Sequence, residues 1–238
     1  MKKLFFALGA LAILGTSCSK DEATPTPPYE CTACASVPDA AAANNTSSKG
    51  IYKGVVTASS GTITFNISNT SDTIYAVLVL DGQTINLAAA TPWSSGSSYI
   101  SAFTGMLNGQ PVTVNFEVGS DGSTPIITSS NIPGHPNAEF TVVKETSTML
   151  IEGFQGTYTE GTSTSGVFNI LLSRDANIWG GSSRENGDTT SQSHSGIIDN
   201  NRIMEDGTHI GTLNGDNISG SFVNSSSQTV TLLGRRTL

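Results

Sequence analysis

The body of this chain is a succession of short runs in which apolar and polar residues alternate, with turn-forming residues between them. In the first half these runs occupy residues 51–57, 62–67, 73–80, 83–87, 99–107, 111–118 and 124–128. Some connections are as short as Asp81-Gly82 and Asn108-Gly109, which favour tight hairpins. Because parallel strands need long crossovers, these connections predict antiparallel neighbours and therefore an all-β meander.

The chain also repeats itself at an offset of 106 residues. Gly50 and Tyr52 fall on Gly156 and Tyr158, and residues 105–109 (Gly-Met-Leu-Asn-Gly) fall on residues 211–215 (Gly-Thr-Leu-Asn-Gly). Between these anchors the match needs a one-residue shift. In the second copy the predicted strands are residues 156–159, 166–173, 177–182, 189–198, 209–213, 217–223 and 229–235. We therefore predict two tandem related units.

The predicted organisation has five parts. They are a signal peptide (residues 1–17), a lipidated and Pro-rich or Ala-rich tether (18–49), the first meander unit (50–130), a linker with a hairpin (131–155) and the second meander unit (156–238). The hairpin is expected within residues 138–153. Because a long meander exposes two edges, the units are expected to curve into barrel-like sheets. Two separate barrels and one continuous curved sheet both remain open.

Composition restricts the classes of partner. Of the 238 residues only 13% are charged, and 19 acidic against 11 basic side chains give a formal charge of −8. A phosphate backbone is bound by lysine and arginine gathered on one face, so nucleic acid is not an expected partner.

The N-terminus is typical of an exported protein. Met1-Lys2-Lys3 precedes an apolar stretch over residues 4–14, which is too short to span a membrane as a helix, and Gly15-Thr16-Ser17 leads into Cys18. This ending resembles a bacterial lipobox. The resemblance implies that Cys18 becomes the acylated first residue of a lipoprotein whose partner is outer-membrane lipid.

The residues after Cys18 favour a surface location. Ser19-Lys20-Asp21-Glu22 resembles the export signal of surface-exposed lipoproteins in gram-negative bacteria. Pro25, Pro27 and Pro28 then favour a semi-rigid stalk. The repeated Gly-x-Tyr and Ser-Gly patterns of the body resemble, in style, meander modules of bacterial surface lipoproteins. These resemblances imply a lipid-anchored protein of the cell outer membrane, exposed at the surface.

Two cysteines remain, Cys31 and Cys34, in a CxxC arrangement. Haem attachment would need histidine at position 35, which is Ala35, and a thioredoxin-like pair would need a βαβ context. Zinc would need two more ligands nearby in sequence. A local disulfide in an oxidising compartment is the prediction that remains, and no metal or other cofactor is expected.

The search for catalytic motifs finds none of the common ones. His135, His194 and His209 are the only imidazoles; His135 is interpreted as an exposed loop residue and His194 as a surface residue of a polar strand. The second half holds Glu185, Asp188, Glu205, Asp206 and Asp216, most of them beside glycine or asparagine, which is typical of turns. We therefore expect a non-enzymatic protein.

Aromatic residues in loops are the better candidates for binding. Trp93 lies in a loop-like run and is followed by Tyr99, so the pair is predicted to contact a ligand; the alternative for Trp93 is to plug the end of a barrel. The leading hypothesis is an envelope lipoprotein that binds a ligand, glycan or protein through its loops. The alternatives are a carrier with a small molecule inside a barrel, and a hydrolase that uses carboxylates of the second unit.

Overall fold

The structure is a computed structural model that describes residues 28–57 and 60–238. These residues form an all-β, antiparallel fold with one short 3₁₀ turn, Ala42–Asn44. The strands are β1 (Gly50–Thr57), β2 (Gly61–Ile67), β3 (Ile74–Leu80), β4 (Gln83–Ala89), β5 (Tyr99–Leu107), β6 (Gln110–Val118), β7 (Ile126–Asn131), β8 (Glu139–Glu145), β9 (Glu152–Glu160), β10 (Thr164–Ser173), β11 (Ile178–Glu185), β12 (Gln192–Asp199), β13 (Arg202–Glu205), β14 (Thr208–Asn214), β15 (Asn217–Val223) and β16 (Thr229–Arg236).

The first eight strands form one sheet in the order β7-β6-β5-β4-β3-β2-β1-β8. The sheet curves until its edge strands β7 and β8 lie side by side, although no ladder of hydrogen bonds joins them. Strand β8 pairs with β1 along its whole length. The predicted hairpin within residues 138–153 is present only as a tight turn with one bridge between Thr146 and Met149, because β8 and β9 pair with other strands and not with each other. Its first half completes the first sheet because β1 would otherwise keep an unpaired edge.

The last eight strands form a closed barrel, in which β16 pairs with β9. The prediction of two tandem related meanders is confirmed: each unit is a separate curved sheet, and only the second is closed by a ladder. The second unit also contains β13, a strand of four residues that the sequence did not predict. It lies between an Asn200-Asn201 turn and an Asp206-Gly207 turn, so it is too short to show alternation.

The first strand of each unit contains a glycine that makes room for a side chain of the second strand. Gly54 lies opposite Ile63, and in the second unit Gly156 lies opposite Phe168. An added side chain at either position would meet the residue across the ladder, at 2.8 Å from Ile63 and 2.5 Å from Phe168. The two glycines therefore share a packing role.

The first unit has a filled interior. Phe116 is fully buried and stacks on Phe65 with 4.3 Å between ring centroids, while Tyr52 and Phe103 meet the ring of Phe116 edge-on. Aliphatic side chains from β1 to β6 fill the remaining space. Such dense aromatic packing is that of a close-packed hydrophobic core.

Strand β1 is buried on both faces because the second unit covers its outer side. Val55 packs with Ile151 and Leu171 in a small cluster between the units. On the same outer side, Lys53 Nζ lies 2.6 Å from Glu145 Oε2, and the two side chains are 3% and 0% exposed. Glu145 also accepts hydrogen bonds from the backbone N–H groups of Asp39 and Ile151, at 2.7 and 3.0 Å. One carboxylate thus joins four segments of the chain.

In the segment before β1, the residues farthest from β1 pack against the second barrel, and those nearer to β1 pack against the first unit. Tyr29 donates a hydrogen bond to the Arg236 carbonyl at 2.9 Å, and the backbone N–H of Cys31 donates to Asp216 at 2.7 Å. Cys31 and Cys34 form a disulfide with 5.4 Å between their Cα atoms. We call this end of the barrel, which carries residues 215–216 and the chain end, the base.

The side chain of Lys144 makes the unfolding free energy of the protein depend on pH. Its ammonium group donates to the carbonyl oxygens of Ser47 and Lys49, and burial lowers its pKa from 10.5 to about 8. Between pH 8 and pH 10 the unfolded chain therefore holds this proton more tightly than the folded protein does. The unfolding free energy should rise across this range, by no more than about 1 kcal/mol because the half-buried charge is screened. Urea unfolding at several pH values measures the slope, and the Lys144→Met variant should lack this contribution.

Above pH 10 the titration of Tyr52 changes the unfolding free energy in the opposite direction. Burial raises the pKa of Tyr52 above its ordinary value, so the unfolded chain loses that proton first and stability falls as the pH rises further. A wild-type slope equal to that of Lys144→Met between pH 8 and pH 10 would contradict the assignment to Lys144.

No helix among the described residues is long and apolar enough to cross a membrane.

Candidate functional site

The second barrel contains a cavity of about 610 Å³ that opens at the end opposite the base. We call this open end the mouth. Strand β9 runs from the base, where Phe154 pairs with Arg236, to the mouth, where Glu160 pairs with Val230. The loops that surround the mouth are residues 161–163, 186–191, 206–207 and 224–228. The cavity volume lies within the range typical of small-molecule sites.

Apolar side chains form the floor of the cavity. Phe168, Ile170 and Trp179 are buried there, above a layer that contains Phe154 and Leu172. The indole N–H of Trp179 donates to the Met204 carbonyl at 3.0 Å, so its polar atom is satisfied and the ring presents an apolar surface. Trp179 is 5% exposed and belongs to the core of the second barrel.

Inward-facing glycines allow aromatic rings to lie against the barrel wall. A side chain at Gly166 would come within 2.5 Å of the Tyr158 ring, and one at Gly234 within 2.7 Å of the Phe168 ring. Small residues opposite large ones are a common way to shape a barrel interior. Here they leave open space above Trp179 instead of filling it.

The mouth is acidic. Carboxylates of Glu160, Glu185, Asp188, Glu205 and Asp206 line it, together with hydroxyl and amide groups. The one arginine of the lining, Arg184, directs its guanidinium outward to Ser191, to the Asn137 carbonyl and to Glu139. Because like charges repel inside a concave, low-dielectric site, the electrostatic potential of this mouth favours neutral or cationic molecules over anions.

Three polar side chains form a hydrogen-bonded array in the cavity. Ser183 Oγ lies 2.9 Å from His194 Nε2, and His194 Nδ1 lies 2.8 Å from Glu205 Oε1. In the tautomer that donates from Nδ1 to the Glu205 carboxylate, Nε2 is the acceptor for the Ser183 hydroxyl. The side chains of His194 and Glu205 are 30% and 29% exposed, which leaves the array open to a molecule in the cavity.

His194 therefore faces the barrel interior, and its interpretation as a surface residue is wrong. In the ladder between β11 and β12, Trp179 pairs with Gly196 and Gly181 pairs with His194, so these residues share the inner face. Sequence alternation did not reveal this face because Ile197 and Ile198 are both apolar. Ile197 is 57% exposed on the outside, whereas Ile198 is 6% exposed in the core.

Two further hydrogen-bonding side chains line the cavity beside this array. Burial, together with the charges of Glu185, Glu160 and Asp188, raises the pKa of Tyr158, so its hydroxyl keeps the proton and can donate. Gln192 lies directly opposite Ser183 in the ladder, and its side chain therefore shares the inner face with Ser183.

The loop aromatics that the sequence favoured have structural roles. Trp93 is half-buried against the first core, donates to Ser48 Oγ at 2.9 Å and has Lys49 over its ring. Tyr99 is only 3% exposed, and its hydroxyl donates to the Thr91 carbonyl at 2.8 Å. Trp93 covers one end of the first unit, which was the alternative prediction for it. This placement favours a site elsewhere.

The other predicted residues divide between the two ends of the second barrel. Of the five carboxylates singled out in the sequence, Asp216 lies at the base and the other four line the mouth. His209 is exposed and contacts Thr212, and His135 lies 3.8 Å from Asp81. Cys18, the predicted acylation site, lies outside the described residues.

A second cavity, of about 540 Å³, follows the seam between the two units. It is lined by Ser60 and Asp81 of the first unit and by the outer face of the second barrel, including Gln155 and Arg235. No aromatic residue is among those that line it, whereas the barrel cavity has an aromatic floor, so the latter is the better candidate site.

Within residues 28–57 and 60–238, no group of three or more histidine, cysteine or carboxylate side chains is placed to hold a metal ion. Comparison with protein-family models, with curated proteins and with solved structures finds no match to this chain.

Proposed function

We propose that this protein is an outer-membrane lipoprotein, anchored through Cys18, that binds a neutral or cationic small molecule in the cavity of its second barrel. The observation that carries the proposal is the contrast between the two units. The first interior is filled by aromatic packing, whereas the second keeps a cavity of about 610 Å³ with an apolar floor and a polar mouth. Pockets of this composition are typical of ligand sites.

The position of the tether supports a mouth that faces away from the membrane. Residues 29–35 pack against the base of the second barrel through Arg236 and Asp216, so the chain that leads back to Cys18 leaves from that end. Strand β9 has nine residues, which corresponds to a strand length of roughly 30 Å between base and mouth. An acylated Cys18 would therefore leave the cavity open to the medium.

The test is a binding assay on the full-length protein extracted in detergent. Thermal shift and then calorimetry are used to screen three classes of compound. The neutral class is sugars, the cationic class is alkyl amines and quaternary ammonium compounds, and the anionic class is carboxylates and phosphates. Members of the neutral or cationic classes should raise the melting temperature, and the anions should not. In cells, Cys18→Ser should move the protein from the membrane fraction to the soluble fraction.

A matched pair of variants locates the binding. Phe222 lines the cavity near the mouth, whereas Leu233 on β16 is 62% exposed and does not line the cavity. Phe222→Ala should weaken binding about tenfold, which corresponds to about 1.4 kcal/mol, and Leu233→Ala should leave it unchanged. Equal affinity of both variants, or no thermal shift with any compound, would overturn the proposal.

A further inference from the structure

The array of Ser183, His194 and Glu205 has the geometry of a nucleophile, a general base and a group that orients the base. The contacts of 2.9 and 2.8 Å lie in the range expected for such hydrogen bonds. All three side chains line the barrel cavity rather than the outer surface. Serine and histidine on adjacent strands of a rigid barrel hold this geometry without the help of a mobile loop.

We infer that the second barrel is an acyl-transfer site in which Ser183 attacks the carbonyl of a small uncharged or cationic ester. This inference rests on the proposed ligand site and gives it a substrate class. It departs from the sequence-based expectation of a non-enzymatic protein.

The reaction is a balanced hydrolysis in two steps. Ser183 Oγ forms a bond to the carbonyl carbon while its proton passes to His194 Nε2; the ester C–O bond then breaks, and that proton goes to the departing alkoxide. Water attacks the acyl group on Ser183, again giving a proton to His194, and the carboxylic acid leaves as Ser183 regains its hydrogen. The net change is ester plus water to acid plus alcohol.

Glu205 is a positioning residue in this scheme. Its carboxylate accepts from Nδ1 at 2.8 Å, which fixes the ring orientation and keeps Nε2 free to accept the serine proton. It also stabilises the imidazolium that forms during each step.

The rest of the lining fits this chemistry. The carbonyl oxygen gains negative charge in the transition state, and two donors line the same cavity: the Gln192 amide, directly opposite Ser183 in the ladder, and the Tyr158 hydroxyl. Trp179 and Phe168 form an apolar floor for a short acyl chain. Hydrolysis creates an anion inside an acidic mouth, so electrostatic repulsion favours release of the acid.

The covalent step can be tested without knowledge of the natural substrate. The full-length protein in detergent is treated with an uncharged alkyl fluorophosphonate, in which the P–F bond breaks as Ser183 Oγ bonds to phosphorus and fluoride leaves. Intact-mass measurement should show one adduct on the wild type, and peptide mapping should place it on Ser183. The adduct should be absent from Ser183→Ala and retained in Ser193→Ala, an exposed serine beside His194.

Turnover is measured with p-nitrophenyl butyrate. His194→Gln should lower kcat/KM by about 100-fold or more, and the exposed His209→Gln should leave it unchanged. Glu205→Gln should lower kcat with KM unaltered, and Glu205→Asp should restore part of the loss, which a purely structural residue would not show.

The outcomes separate this inference from the proposed function. Ligand binding in the thermal-shift panel without a Ser183 adduct, or hydrolysis that persists in Ser183→Ala, would overturn acyl transfer and leave the binding proposal standing. If the protein shows no ligand binding and no Ser183 adduct, both the inference and the proposed function are overturned.

Discussion

Replacement of Glu145 by glutamine should lower the unfolding free energy by about 3 kcal/mol or more. The carboxylate is completely buried and lies 2.6 Å from Lys53 Nζ, so the variant would leave a buried ammonium group without its close counter-charge. The other carboxylate near Lys53, Asp39, is 3.3 Å away and 58% exposed, so it compensates only in part.

Urea unfolding followed by tryptophan fluorescence measures this change. Glu117→Gln is the control, because Glu117 lies on the outer side of β6 and is only partly buried; its unfolding free energy should stay within about 0.5 kcal/mol of the wild type. The double variant Lys53→Met/Glu145→Leu should recover part of the loss, since it removes both charges. It should not recover all of it, because the N–H groups of Asp39 and Ile151 then lose their acceptor. A loss below about 1 kcal/mol for Glu145→Gln would show that water reaches Lys53.

Truncation of Phe116 to alanine should cost about 3–5 kcal/mol, the usual range for a large aromatic residue in a packed core. Its ring is fully buried and contacts Phe65, Tyr52 and Phe103. These neighbours lie on strands of the same curved sheet and cannot collapse into the vacated space without breaking the ladder. The cost therefore includes the cavity as well as the lost transfer free energy.

The matched variant in the second barrel is Phe222→Ala, which should cost less than about 1.5 kcal/mol because the ring borders existing open space. Unfolding by denaturant, with circular dichroism as the signal, compares the two. Similar losses in both variants would mean that the second barrel is packed as tightly as the first, and the proposal of a ligand cavity would fail.

Much of the fold could be predicted because its determinants are local. Period-two alternation and paired turn residues such as Asn108-Gly109, both with positive φ, define the hairpins of the first unit. The partner of β1 could not be predicted, because β8 joins it from more than 80 residues away and only the completed sheet supplies the unpaired edge. The same applies to the closure of β16 on β9.

The candidate site was harder to predict for the same reason. A strand has two faces, and the sequence of β12 does not say which of them becomes the interior when a barrel closes. His194, Gly196 and Ile198 line the interior only because the ladder with β11 aligns them with Gly181 and Trp179. Ser183 had no signal of its own, since a serine in a serine-rich strand is ordinary until its partner across the sheet is known.

The contacts at the base of the second barrel also impose an order on assembly. Tyr29 and Arg236 are 207 positions apart, so a residue that is synthesised early binds one that is synthesised much later. The first unit has all its strands once residue 145 has been synthesised, so it can fold while the second barrel is still incomplete. The second barrel closes only when β16 pairs with β9, so residues 29–35 dock against its base after that closure.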